Sequence, residues 1–318
     1  MSGASSHPPT STEPPAAAGP LAGVRILSLA LNLPGPAALM RLAGMGAHCT
    51  KLEAPAPAGA STSDPMGQYD PAAYAQMHAG VQRVQADLKS PAGQAQLQAL
   101  LERSDVLLTS FRPAAMKKLG VDWATLQARY PGLSLVQIFG AAGERANEAG
   151  HDLSYQAEAG LVPGLHMPPS LLADMAGALM ACEAVLQALL ARRADGRGHC
   201  IEVSLLDAAH WLALPRTWGL CAPQGMTGGA HAGYRLYPCA DGRVALAALE
   251  PHFAQRLWQQ VCAAGEGTQT ADAPGAAAGD MLAEGTHEAV AAFCAARSCA
   301  ELDALAQAHD IPLLTMPD

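Results

Sequence analysis

Short apolar runs alternate with helix-patterned segments through the first half of the chain. Leu21-Ala-Gly-Val-Arg-Ile-Leu-Ser-Leu is a β-type run that ends at the breaker cluster Asn32-Leu-Pro-Gly-Pro36. Residues 37–44 then carry helical spacing, and His48-Cys-Thr-Lys-Leu-Glu53 predicts a second strand. Strand, turn, helix and strand within about thirty residues form a βαβ unit, from which a parallel sheet follows. Further strands are predicted at 84–88, 105–110 and 133–139. Helices are predicted at 91–103 with Ser90 as cap, at 113–118 ending on Gly120, and at 123–130. Residues 55–70, rich in Pro, Ala and Ser, predict a loop. The pattern is that of a doubly wound, Rossmann-like parallel α/β domain, a fold that binds ligands at the carboxyl ends of its strands.

The longest helical run spans 174–193, followed by a turn at 195–198, a strand at Cys200–Ser204 and a helix over 205–218 interrupted at Pro215. The expected organisation is a disordered leader over 1–20, a large α/β domain over 21–220, a Gly-rich linker over 221–233, and a second, smaller α+β domain over 234–318 with a short C-terminal tail. That second domain opens with a hairpin, in which Asp241-Gly242 separates the β-type runs Tyr234-Arg-Leu-Tyr237 and 244–249. A helix at 253–263, a low-complexity loop at 265–279 and helices at 286–297 and 299–309 complete it.

Composition narrows the picture. At 318 residues the chain can bury a substantial core. It is 50% hydrophobic but only 4% aromatic, so that core must be built from Ala, Leu and Val. A net charge of −9 argues against a nucleic-acid partner, which calls for a basic stripe, while a local basic pocket for a small polyanion remains compatible with it. Eight scattered cysteines with no C-x-x-C pair predict reduced, mostly buried thiols in a cytoplasmic protein, with neither a disulfide framework nor a metal site. The Pro-, Ser- and Thr-rich leader lacks the basic-then-apolar order of a secretory signal. No membrane span is expected.

The candidate chemistry lies in Gly150-His151-Asp152-Leu153-Ser154-Tyr155 and in Asp174, at the start of the longest helical run. An imidazole that titrates near neutrality and a carboxylate, both at element boundaries, are what a two-base proton-transfer site needs. A His-Asp dipeptide by itself is more often a loop or helix cap, and Asp174 also fits an N-cap. The other histidines show no metal-ligand spacing, and no G-x-G-x-x-G follows the first strand, which argues against a nicotinamide enzyme.

Taken in order, several short markers resemble the family III CoA-transferase superfamily, and within it the α-methylacyl-CoA racemases, over roughly residues 21 to 315. They include Leu21-x-Gly23-x-Arg-Ile-Leu, Gly35-Pro36, Leu42-Ala-x-Met-Gly46-Ala, Lys51-x-Glu53, Ala86-Asp87-Leu-Lys89, Phe111-Arg-Pro113, Gly196-Arg-Gly198 and Val203-Ser-Leu-Leu-Asp207. Gly150-His151-Asp152, Asp174 before the long helix and Glu250-Pro251-His-Phe253 are similar to the racemase pattern. The resemblance implies an enzyme that inverts the α-carbon of a 2-methylacyl-CoA thioester through an enolate. His151 and Asp174 would be the two bases, with Asp152 beside them, and Glu250 would orient the imidazole. Backbone N–H groups at the helix start after Asp174 would stabilise the thioester oxygen.

The resemblance implies coenzyme A as part of the substrate, with no tightly bound cofactor. Its phosphate contacts would be Arg83, Lys89, Arg112 and Lys51. The family's Asn-Arg-Gly-Lys/Arg run stands here as His78-Ala-Gly80-Val-Gln82-Arg83, which keeps the glycine and a displaced arginine. The resemblance also implies a homodimer. Relatives interlock through a return of the chain to its first domain, and here the chain ends at Asp318. The alternatives are a CoA-transferase that uses Asp174 as nucleophile and a non-catalytic CoA-thioester binder.

Overall fold

The computed structural model describes residues 19–265, 267 and 280–318. The expected leader and the low-complexity loop fall almost wholly outside these residues. The chain divides into two compact units, residues 1–213 and 214–318.

In the first unit the elements run β1 (Arg25–Ser28), α1 (Pro34–Gly44), β2 (His48–Glu53), α2 (Met66–Tyr69), α3 (Pro71–Met77), β3 (Gln82–Gln85), α4 (Pro91–Glu102) and β4 (Val106–Thr109). They continue through α5 (Pro113–Leu119), α6 (Trp123–Arg129), β5 (Ser134–Phe139), α7 (Asp152–Glu158), α8 (Leu172–Asp195) and β6 (Cys200–Ser204) into α9 (Leu205–Thr217), within which the unit boundary falls. The expected parallel α/β architecture is what forms: a six-stranded sheet in the order β3-β2-β1-β4-β5-β6, every pairing parallel. The chain winds outward in one direction through β2 and β3, then in the other through β4, β5 and β6. The order therefore reverses between β1 and β4, and a crevice opens there at the carboxyl ends of the strands.

Both faces of this sheet are buried, as parallel sheets require. Successive side chains alternate between faces. Ile26, Val106, Leu108, Val136 and Val203 pack with α1 and α8 on one side, whereas Leu27, Leu107 and Leu135 pack with α4 and α6 on the other. Each such aliphatic side chain contributes roughly 1.5–3 kcal/mol on full burial. Local sequence sets the ends of the helices: Ser90 Oγ accepts from Gly93 N–H (3.0 Å) to open α4, and Gly120, at φ 66°, closes α5 in a left-handed conformation. Helix α8 is long and apolar enough to cross a bilayer by length and composition. It is a core helix of this unit, with Ala173, Ala176, Ala181, Val185 and Ala188 buried.

The second unit contains β7 (Tyr234–Cys239), β8 (Gly242–Ala247), α10 (Pro251–Ala263), α11 (Glu284–Ala295), α12 (Cys299–His309) and β9 (Leu313–Pro317). The predicted hairpin pairs in antiparallel register around Cys239↔Gly242. Two features depart from expectation. The C-terminal tail is β9, the third strand of an antiparallel sheet in the order β7-β8-β9. Its flanking prolines are tolerated because it is an edge strand. The Gly-rich segment 221–233 is bonded into the second unit: Thr227 Oγ1 donates to Leu220 O (2.7 Å), Ala232 N–H to Met281 O (2.8 Å), and Ala248 N–H to Gly233 O (2.8 Å).

Candidate active site

The crevice at the β1/β4 reversal contains a cavity of about 260 Å³. Its walls come from the loops that leave β1, β4 and β5, so the fold itself brings together residues far apart in sequence. After β1, Leu31 N–H donates to Ser110 Oγ (2.9 Å) and Asn32 N–H to Asp64 Oδ1 (3.0 Å). Asn32 sits at φ 63°, a left-handed conformation that few non-glycine residues adopt. After β4, Ser110 and Arg112 line the same cavity.

The chain leaves β5 through Gly140 and a 3₁₀ turn at Gly143–Asn147. The Tyr155 hydroxyl then packs against two glycines. A Cβ at Gly140 would lie 2.0 Å from that oxygen and one at Gly150 would lie 2.5 Å from it, so a side chain at either position would have to displace the Tyr155 ring. His151 is the N-cap residue of α7. Its backbone N–H donates to Ser154 Oγ (3.1 Å), and the Ser154 hydroxyl donates to His151 O (2.7 Å). The backbone and Ser154 thus satisfy the helix start, and the exposed imidazole, which makes no cap bond, is left to line the cavity.

Asp152 is buried and does not line the cavity. Its Oδ1 accepts the Asp174 N–H (3.0 Å) and its Oδ2 accepts from Gln156 Nε2, which also donates to Ser170 O (3.0 Å). The Asp152 carboxylate therefore ties the start of α7 to the start of α8. Asp174, the third residue of α8 and not its cap, lines the cavity with His151. Burial raises its carboxyl to about pKa 7, with the Asp152 charge adding to the shift. The positive end of α8 works in the opposite direction, and desolvation outweighs it. A carboxyl and an imidazole lining one small cavity, the carboxyl poised near neutrality, can give and take protons at a common centre. A larger hollow of about 690 Å³ in the second unit, lined by Tyr234, Arg235 and Leu236, brings no acid–base pair together, so we assign the site by chemistry and not by size.

A profile of CoA-transferase family III matches residues 21–316. The chain belongs to this family. It is 32% identical over 255 residues to human alpha-methylacyl-CoA racemase, an alignment that covers 74% of this chain and 63% of the relative. It is 34% identical over 204 residues to a probable fatty acyl-CoA transferase of Mycobacterium tuberculosis, Rv3272, covering 60% of this chain and 52% of that protein. The crystal structure of Rv3272, described as a hypothetical protein, superposes with a TM-score of 0.75 at 25% identity over 93% of this chain and 85% of that one. The alignments to these two curated relatives thus span just over half to just under two thirds of their length. The family is enzymatic and its substrates are CoA thioesters, and both racemases and CoA-transferases occur among the relatives.

Against that family background the expected site residues separate into groups. His151, Asp174 and Arg112 meet at one cavity. Asp152 stands behind it as a positioning group. Arg83 and Lys89 are exposed elsewhere in the first unit, and Arg83 lies over the Tyr74 ring, 5.5 Å from its centroid. Lys51 corrects an expectation: it is fully buried and ion-paired to Asp64 and to Glu53 (3.5 Å), so its ammonium is consumed inside the protein and cannot reach a phosphate. Glu250 is exposed at the N-cap of α10 in the second unit. The N–H groups expected to face the thioester oxygen are also engaged, that of Asp174 by Asp152 and that of Met175 by Leu171 O (3.0 Å). Asn32, Ser110 and Tyr155 also line the cavity without having been expected there, although Asn32 falls in the Asn32-Leu-Pro breaker and Tyr155 ends the Gly150–Tyr155 stretch.

Proposed function

We propose that this chain is an acyl-CoA racemase or epimerase. It removes the α-proton of a 2-methylacyl-CoA thioester on one face of the carbon and returns a proton on the other, through an enolate. The supporting observation is the Asp174 carboxyl, raised to about pKa 7 and lining one cavity with the His151 imidazole. Two-base inversion needs one partner protonated while the other is not, and a carboxyl raised to about pKa 7 can take either part. A carboxylate used only as a nucleophile would gain from staying ionised. Arg112, which lines the same cavity, meets an anionic part of the substrate. The second reading is a CoA-transferase, in which Asp174 attacks the acyl thioester to give an anhydride and then a CoA thioester. The named transferase among the relatives favours keeping it in view.

The test is deuterium uptake from D₂O at the α-carbon of a single-enantiomer 2-methylacyl-CoA. Wild type exchanges with loss of stereochemical purity, and His151→Ala and Asp174→Ala each abolish inversion or make exchange one-sided. No exchange by wild type, with Asp174-dependent passage of CoA to an added carboxylic acid, would move the chain to the transferases. Neither activity would leave a thioester binder. The protein acts as a homodimer in this reading, which the exposed Leu179, Leu190, Trp211 and Leu212 on α8 and α9 support.

A further inference from the structure

The second unit holds a side-chain cluster that the proposed chemistry does not use. Cys239 is the last residue of β7, Asp241 lies in the turn to β8, and Cys299 is the first residue of α12. Sixty residues separate the two cysteines in sequence, yet their sulfurs stand 3.6 Å apart. Asp241 Oδ1 is 3.9 Å from Cys239 Sγ and accepts the Cys299 N–H (2.6 Å). One donor atom from each residue lies within 4.8 Å of the others. The backbone holds this arrangement as well: Ala240 N–H donates to Arg297 O (2.8 Å), which locks the β7–β8 turn against the segment that leads into α12. The start of α12 is itself fixed by Ser298, which caps Glu301 N–H and is capped in return by the Glu301 side chain.

We propose that Cys239, Asp241 and Cys299 form a binding site for a thiophilic divalent cation of the zinc type, completed by water. The spacing fits that ion better than it fits a disulfide. Two thiolates on a tetrahedral zinc, each about 2.3 Å from the metal, stand about 3.8 Å apart, and a thiolate and a carboxylate oxygen stand about 3.5 Å apart. The cluster already has nearly these separations. A disulfide would need the sulfurs to close to about 2.0 Å. The donor set of two soft sulfurs and one carboxylate selects zinc-like ions over calcium or magnesium, which take oxygen ligands. Asp241 is exposed and Cys239 half-buried, so an ion can enter from solvent, whereas Cys299 is buried. Asp241 Oδ1 accepts the Cys299 N–H and keeps a second lone pair for the metal. The positive end of α12 opposes a cation, and three anionic donors outweigh it. Binding releases the two thiol protons to solvent and staples the hairpin to α12, so it stabilises the second unit. The sequence gives no hint of the site, because it contains no C-x-x-C pair.

The experiment uses the full chain, stripped of metal under reducing conditions and titrated with Zn²⁺ and, separately, Co²⁺. One Co²⁺ per chain is expected, with the intense visible bands of tetrahedral cobalt and a thiolate charge-transfer band. Saturating Zn²⁺ is expected to raise a thermal unfolding midpoint by roughly 5 °C. Cys239→Ser, Cys299→Ser and Asp241→Asn each weaken binding by at least about tenfold, while Cys221→Ser and Cys262→Ser leave it unchanged. Should the cysteine variants fail to fold, alkylation of wild type with iodoacetamide decides the matter: Zn²⁺ should protect Cys239 and Cys299 selectively. Protection of other cysteines or of none, a cobalt spectrum without a thiolate band, or a Cys239–Cys299 disulfide that forms readily and excludes the metal would overturn the proposal.

Discussion

Burial and a neighbouring carboxylate act together on the Asp174 carboxyl. Asp152 accepts its N–H and lies close enough to repel its ionised form. Asp152→Asn keeps the acceptor and removes the charge. The limb near pH 7 in the profile of kcat/KM for α-proton exchange should therefore move to lower pH. It should stay above the ordinary carboxyl range, since burial is the larger cause. An unmoved limb would mean that the Asp152 charge is not felt at Asp174. Stability responds to the same shift. The folded chain favours protonated Asp174, so its contribution is fully present below the unfolded carboxyl pKa near about 4 and is lost as pH rises through about 7. Asp174→Asn removes that loss. At pH 8 the variant should exceed wild type by on the order of 1–2 kcal/mol, discounted for partial solvent access, with the gap shrinking toward pH 4 in denaturant midpoints.

At the scale of elements, the loop between β2 and α3 is held by buried polar groups. Lys51 pairs with Asp64 and Glu53, Thr62 and Tyr74 donate to Glu53, and Asp64 in turn holds the N–H of Asn32 at the cavity wall. Lys51→Met leaves Asp64 buried without its partner, which should destabilise the first unit by about 3–5 kcal/mol. A phosphate-binding lysine would behave differently, raising the KM for the CoA thioester while stability held, and urea unfolding alongside steady-state kinetics separates the two. Element types were legible wherever period and punctuation agreed. β2, β6 and α12 have the predicted bounds, and Ser90 and Gly120 act as the predicted cap and stop. Among the short elements α5, α6 and β4 were legible, but α3, α7 and β9 were not. The Asp70-Pro71 cap of α3 was a usable signal, since Asp70 accepts from Ala72 and Ala73 N–H, whereas seven-residue α7 and edge strand β9 are too brief for periodicity to speak.

At the scale of the molecule there are two separately cored units, the first built on both faces of a parallel sheet and the second around Leu257, Val290 and Phe293. The apolar side chains left exposed on α8 and α9 lead to one further prediction. Sedimentation velocity should find a dimer, and Leu179→Glu with Trp211→Glu should shift it to monomer while the circular dichroism spectrum is kept. Sequence alone determined the alternation of strands and helices, hence the parallel α/β class, because period and punctuation are local properties, while the resemblance to the racemases marked His151 and Asp174 as candidate bases. Only the tertiary structure decided that Lys51 is buried in an ion pair, that burial, with Asp152 behind it, lifts the Asp174 pKa, and that Cys239 and Cys299 meet. Burial, desolvation and proximity depend on which distant segments the fold packs together, and no local pattern encodes them.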